Sequence, residues 1–67
     1  MGQAFLDLQD NILQLFYEKE RLDLDGLVLK FGKSKSWIEK AILALRKSGY
    51  VIRDVGNGKS KWYELME

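Results

Sequence analysis

The side chains able to do chemistry in this 67-residue sequence are carboxylates, lysines, arginines, hydroxyls and three tyrosines, because Cys and His are both absent. Without Cys there is no thiol nucleophile, disulfide or thiolate metal site. Without His there is no imidazole base and no standard zinc site. Asp23 and Asp25 stand close enough to mimic a catalytic acid pair. The start of a helix explains them better, since an N-cap carboxylate accepts a free helix N–H and a first-turn acid complements the helix dipole. A chain this short buries only about 60% of the surface its unfolded form exposes, which leaves little room for a catalytic pocket. No catalytic residue, metal, cofactor or small-molecule ligand is expected, and the chain does not read as an enzyme.

What remains is cation chemistry, and it is unevenly spread. Residues 1–25 hold two basic residues against six acidic ones, a balance of −4, whereas residues 26–67 hold nine against four, a balance of +5. The basic part concentrates in Lys33, Lys35, Lys40 and Lys47 and then in Arg53, Lys59 and Lys61. Such a split suits a protein with one face for a polyanion and another kept away from it. The plainer reading is a mixed, solvated surface.

The elements that must position these cations follow from periodicity and punctuation. Residues 4–19 predict a first helix, with Phe5, Leu8, Ile12, Leu15 and Phe16 on one apolar stripe. A thinner second stripe holds Leu6, Leu13 and Tyr17. It needs its own cover, either a second copy of the chain or the C-terminal strand near Leu65 and Met66. Arg21-Leu22 reads as an extended link and Asp23 as an N-cap. A helix then runs over 24–31, with Leu27, Val28 and Phe31 inward and Gly32 at its end. Ser34 caps a third helix over 35–48, which Gly49 ends. Its buried face is Ile38, Ala41, Ile42 and Leu45; Ser36, Lys40, Leu43 and Lys47 lie opposite, with Trp37, Glu39 and Ala44 on the flanks. Residues 50–55 are aromatic and β-branched and predict a strand, 56–59 a turn, and 60–66 the returning strand. The whole chain reads as a single domain.

Two helices joined by a Gly-Lys-Ser turn are the signature of a helix-turn-helix. Followed by a hairpin, they give the order of a winged helix. The stretch from Phe31 to Gly49 resembles the helix-turn-helix of winged-helix transcriptional repressors, the biotin-operon repressor type among them. The likeness lies in the hydrophobe-Gly-x-Ser turn, the Ile38/Ile42/Leu45 spacing, Arg46, Gly49, the Gly-x-Gly hairpin tip and Tyr63-x-Leu65, and it covers about residues 5–66. It implies an α+β fold of three helices followed by a two-stranded β-hairpin wing. The function it implies is sequence-specific binding of double-stranded DNA by a small, cytoplasmic, nucleoid-associated transcriptional regulator, acting as a homodimer. Helix 35–48 would enter the major groove and hairpin 50–66 would serve as the wing. Trp37 and Leu43 depart from the family pattern, which usually has a small residue and a polar one there.

The residues expected at DNA are Lys33, Ser34, Lys35, Ser36, Trp37, Glu39, Lys40, Leu43, Lys47, Arg53, Lys59 and Lys61, and those at a dimer interface are Leu6, Leu13 and Tyr17. Each has a second reading. Glu39 accepts from a cytosine amino group or pairs with Lys35 four residues before it. Trp37 stacks on sugar or packs against the hairpin. Leu43 meets a thymine methyl or a protein partner, and Trp62 serves sheet-surface packing or base stacking. Trp37 and Leu43 together also support a protein-interaction module, and the lysines alone support sequence-neutral architectural binding. No apolar run reaches the roughly 18 residues of a membrane span, and the start Met1-Gly2-Gln3-Ala4 lacks the basic and apolar regions of a signal peptide.

Overall fold

The structure is a computed structural model and describes residues 2–57 and 60–66. The order of elements is α1 (Gln3–Glu18), β1 (Arg21–Asp23), α2 (Leu24–Phe31), α3 (Lys35–Lys47), β2 (Val51–Asn57) and β3 (Ser60–Met66). Three helices pack on one three-stranded antiparallel sheet of order β1-β3-β2, an α+β arrangement.

The core forms where the apolar stripes of all three helices meet the inner face of the sheet. Leu8, Ile12 and Phe16 come from α1, Leu24 and Leu27 from α2, and Ile38, Ala41, Ile42 and Leu45 from α3. Leu22, Ile52 and Tyr63 contribute one side chain from each strand. Burying a large aliphatic side chain is worth roughly 1.5–3 kcal/mol, so these few residues supply most of what holds so short a chain together. Phe5, Leu15, Val28 and Phe31 are half-buried at the edge of this core.

Three local features fix the ends of the helices. Gly32 takes φ 64°, the left-handed conformation that ends α2 and that only glycine adopts cheaply. Ser34 Oγ accepts a hydrogen bond from the Trp37 N–H at 3.2 Å and so starts α3. At the far end Gly49 has φ 111°, its N–H donates to the Arg46 carbonyl at 3.0 Å, and the Tyr50 N–H donates to the Leu45 carbonyl at 3.2 Å. That pair of bonds is a Schellman cap.

The structure corrects the expected architecture in one main respect. The sheet has three strands, whereas the sequence predicts a two-stranded hairpin. Arg21–Asp23, expected as an extended link, pairs with β3 through Arg21↔Glu64, Leu22↔Tyr63 and Asp23↔Trp62. Three residues are too few to show an alternating pattern, so their strand character comes from the partner rather than from themselves. Asp23 holds the N-cap position of α2, but its carboxylate makes no capping hydrogen bond.

Smaller differences concern boundaries. Helix α1 lies one residue earlier than expected at both ends, and α3 stops at Lys47 with Ser48 as its cap. Strand β2 runs on to Asn57, with register Gly56↔Lys61 and Asn57↔Ser60, where a turn is expected. Gly56 makes this possible with φ 93°. Among the described residues, no helix is long and apolar enough to cross a membrane.

Candidate nucleic-acid interface

Helix α3 turns one face to the core and presents the other to solvent. Ile38 and Ala41 have no exposed surface and Ile42 only 1%. On the outer side Ser36, Lys40, Leu43 and Lys47 are exposed, as are Lys33, Ser34 and Lys35 at the entrance to the helix. Among the described residues, Lys33, Lys40 and Lys47 have no carboxylate within 4.0 Å, so their charge is uncompensated locally.

Lys35, Trp37, Glu39, Arg53 and Lys61 are engaged with neighbours, in ways that differ from the sequence reading. Lys35 pairs with Asp25 at 3.7 Å across the turn between α2 and α3. Glu39, expected to pair with Lys35, instead meets Lys61 of β3 at 3.6 Å. Its position on the flank of α3 directs it toward the hairpin, and Asp25 is left to take Lys35. Trp37 does not pack against the hairpin. It lies against Phe5 of α1, with ring centroids 5.1 Å apart, and stays 42% exposed. The Lys40 ammonium sits 5.8 Å from the centre of the Trp37 ring, within cation–π reach.

Arg53 does not join the α3 surface. Side chains alternate along a strand, and Ile52 faces the core, so Arg53 faces the opposite side of the sheet. There Arg53 and Arg21 both bind Glu64, at 2.7 and 3.1 Å. The three form one row across the sheet. Hydrogen bonds from Arg21 and then Arg53 hold the Glu64 carboxyl below its ordinary value. Trp62 shares that outer face and is 37% exposed. Lys59 lies outside the described residues.

One residue with a clear structural task is named in the sequence reading only as part of a family likeness. The Arg46 guanidinium donates through Nε to the Ile52 carbonyl at 2.9 Å and through Nη2 to Asp54 Oδ1 at 2.8 Å. It fastens the end of α3 to the edge strand β2. With the Glu39–Lys61 contact, this sets the hairpin beside α3 at two points.

Lys61 also lies 5.6 Å from the centre of the Tyr63 ring. Burial pushes the Tyr63 phenol above its ordinary 10.0. Lys61 is held above its ordinary 10.5, first by the Tyr63 phenolate charge and then by Asp54 and Glu39. Groups with raised folded pKa values contribute stability that is complete below the unfolded pKa and lost as pH climbs through the folded one. Stability is therefore expected to hold up to about pH 10 and to fall above it. Tyr63→Phe should flatten that alkaline fall, as read by thermal melts across the alkaline range. An equally steep fall in the variant would show that Tyr63 is not its source.

Comparison of the chain with protein-family models, with curated proteins and with solved structures finds no match. The functional reading therefore rests on the geometry above.

Proposed function

We propose that this chain is a winged helix-turn-helix domain that binds double-stranded DNA sequence-specifically, as a small transcriptional regulator. The observation that carries the reading is the two-sidedness of α3. Its inner face is fully packed, and its outer face carries Lys40 and Lys47, with Lys33 at its entrance, none compensated by a carboxylate among the described residues. Thirteen helical residues span about 20 Å, and a helix fits the B-DNA major groove, about 12 Å wide. The β2–β3 hairpin, fastened to α3 by Arg46 and by Glu39–Lys61, then acts as the wing. The acids of α1 belong to the other side of the charge asymmetry. A lone recognition helix reads few base pairs, so the reading includes a homodimer that doubles the site. Its contact runs along the Leu6, Leu13 and Tyr17 side of α1.

Binding of a mixed-sequence duplex, measured against salt with a specific and a non-specific competitor, tests the proposal. If one protomer neutralises about five phosphates, log K should fall with log salt at a slope near −4 to −5, and about twice that for a dimer on one site. No binding at low salt would reject the DNA reading. It would favour a protein-interaction module anchored by Trp37 and Leu43, which are 42% and 48% exposed. Binding without any sequence preference would favour an architectural role.

A further inference from the structure

Between the first turn of α1 and the start of α3 lies an open notch of about 200 Å³ lined by Ala4, Phe5, Leu8, Lys33 and Trp37. Its floor is the Phe5–Trp37 pair, two rings inclined at 40° to each other. Among the described residues Lys33 is its only charged lining residue, and Lys40 stands 5.8 Å from the centre of the Trp37 ring. The notch therefore offers an apolar floor with the Lys33 ammonium in its lining, while Lys40 stands against the Trp37 ring that forms part of that floor.

We propose that this notch seats the sugar–phosphate backbone of one DNA strand, so that the start of α1 belongs to the DNA interface. The inference rests on the DNA-binding reading of α3 and extends it to a second helix. A deoxyribose presents an apolar C–H surface beside its phosphates, and the notch presents an apolar aromatic surface with Lys33 in its lining and Lys40 within cation–π reach of its Trp37 ring. The lining is complementary in charge to a phosphate backbone, since among the described residues no carboxylate lines the notch. The contact also accounts for a solvent-exposed Trp at the entrance of α3. Packing against Phe5 holds its ring beside the basic surface instead of against the hairpin. A backbone seat of this kind fixes the register of α3 in the groove and carries no base information itself.

The test changes charge in the notch without touching the core. Ala4 is an exposed α1 residue on the rim of the notch, and Asn11 is an exposed α1 residue that does not line it. Binding of a mixed-sequence duplex at fixed salt is measured for wild type, A4E, A4K, N11E and N11K. A4E should weaken binding about tenfold, and A4K should tighten it several-fold, as expected of one close charge contact near a protein surface. The Asn11 variants should change binding by less than the Ala4 variants, because Asn11 lies about 10 Å further along α1, where at about 0.1 M salt an exposed charge is already largely screened from the notch. Tightening by A4K cannot come from a damaged fold, which keeps the test decisive even if A4E is destabilised. Equal effects at Ala4 and Asn11, or none at Ala4, would overturn the notch as a DNA contact and leave it for a protein side chain. Absence of wild-type binding at low salt would instead overturn the DNA reading itself, and this inference with it.

Discussion

Replacing Lys40 and Lys47 together by alanine is expected to weaken binding to duplex DNA about a hundredfold, because each charge-assisted contact is worth about 1.5 kcal/mol or more. Both side chains are exposed on the face of α3 opposite Ile38, Ala41 and Ile42, and neither has a carboxylate within 4.0 Å among the described residues. Their charge is therefore available to phosphate without first breaking an ion pair. Losing two of about five phosphate contacts should also reduce the salt slope per protomer from about −4.5 to about −2.7. Stability should fall by no more than about 1 kcal/mol, since the exposed Lys40–Trp37 cation–π contact is worth about 0.5–1 kcal/mol and alanine is the best helix former. The control is Lys19→Ala with Lys30→Ala, which removes the same charge from exposed positions beside β1. If the control pair loses as much affinity as the α3 pair, binding is a diffuse charge effect and α3 has no special place in it. If the α3 pair binds as wild type does, the helix is not the contact.

Lys35 and Lys61 would respond differently from Lys40 and Lys47. Each already holds a carboxylate, Asp25 and Glu39 respectively. Exposed pairs of this kind are worth between zero and about 1 kcal/mol, so DNA can displace either partner at small cost. Glu39 is an acid on an otherwise basic surface, with Lys61 beside it at 3.6 Å; on the proposed DNA reading that pairing would be given up when the helix meets phosphate.

The parts of the fold legible in the sequence are those encoded locally. The 3–4 residue spacing of Leu8, Ile12 and Phe16 marks the buried side of α1, and all three are buried. Gly32, Ser34 and Gly49 mark the ends of α2 and α3 because each answers a backbone need at its own position. The alternation Tyr63, Glu64 correctly separates the inner and outer faces of β3, as Tyr63 is 2% exposed and Glu64 meets arginines from both neighbouring strands. Illegible were the features that depend on distant partners. Strand β1 exists because Leu22 pairs with Tyr63, 41 positions away. The Phe5–Trp37 contact joins two helices separated by β1 and α2, and nothing near Trp37 in the sequence points to Phe5. The choice of Glu39 between Lys35 and Lys61 turned on the hairpin's position, and an i, i+4 rule cannot see a hairpin. Arg53 was open to a better reading, because Ile52 is its neighbour and strand alternation places the two on opposite faces.

The second large effect concerns assembly. Along α1, Leu6 and Tyr17 remain 52% and 57% exposed, while Leu13 between them is half-buried against the core. The stripe is thus open at both ends and tied down in the middle. Leu6 and Tyr17 lie about 16 Å apart along the helix. Near Tyr17 the apolar surface continues onto the sheet, where Val51 is 63% and Met66 41% exposed around a groove shared with Tyr50 and Leu65. Tyr17 borders the C-terminal strand, but that strand does not cover it. A specific interface needs about 800 Å² from each partner, so an interface along α1 would extend onto this strand-end patch. If the proposed homodimer forms along this surface, Leu6→Lys with Tyr17→Lys is expected to convert it into a folded monomer, leaving Leu13 and the core intact. Sedimentation should show the change in mass, and the DNA salt slope should fall to about half its wild-type value as each protomer binds alone. Wild-type protein that sediments as a monomer at high concentration would end the dimer reading. A double variant that stays dimeric would move the interface off α1, and the strand-end patch at Val51 and Met66 would then be the surface to change next.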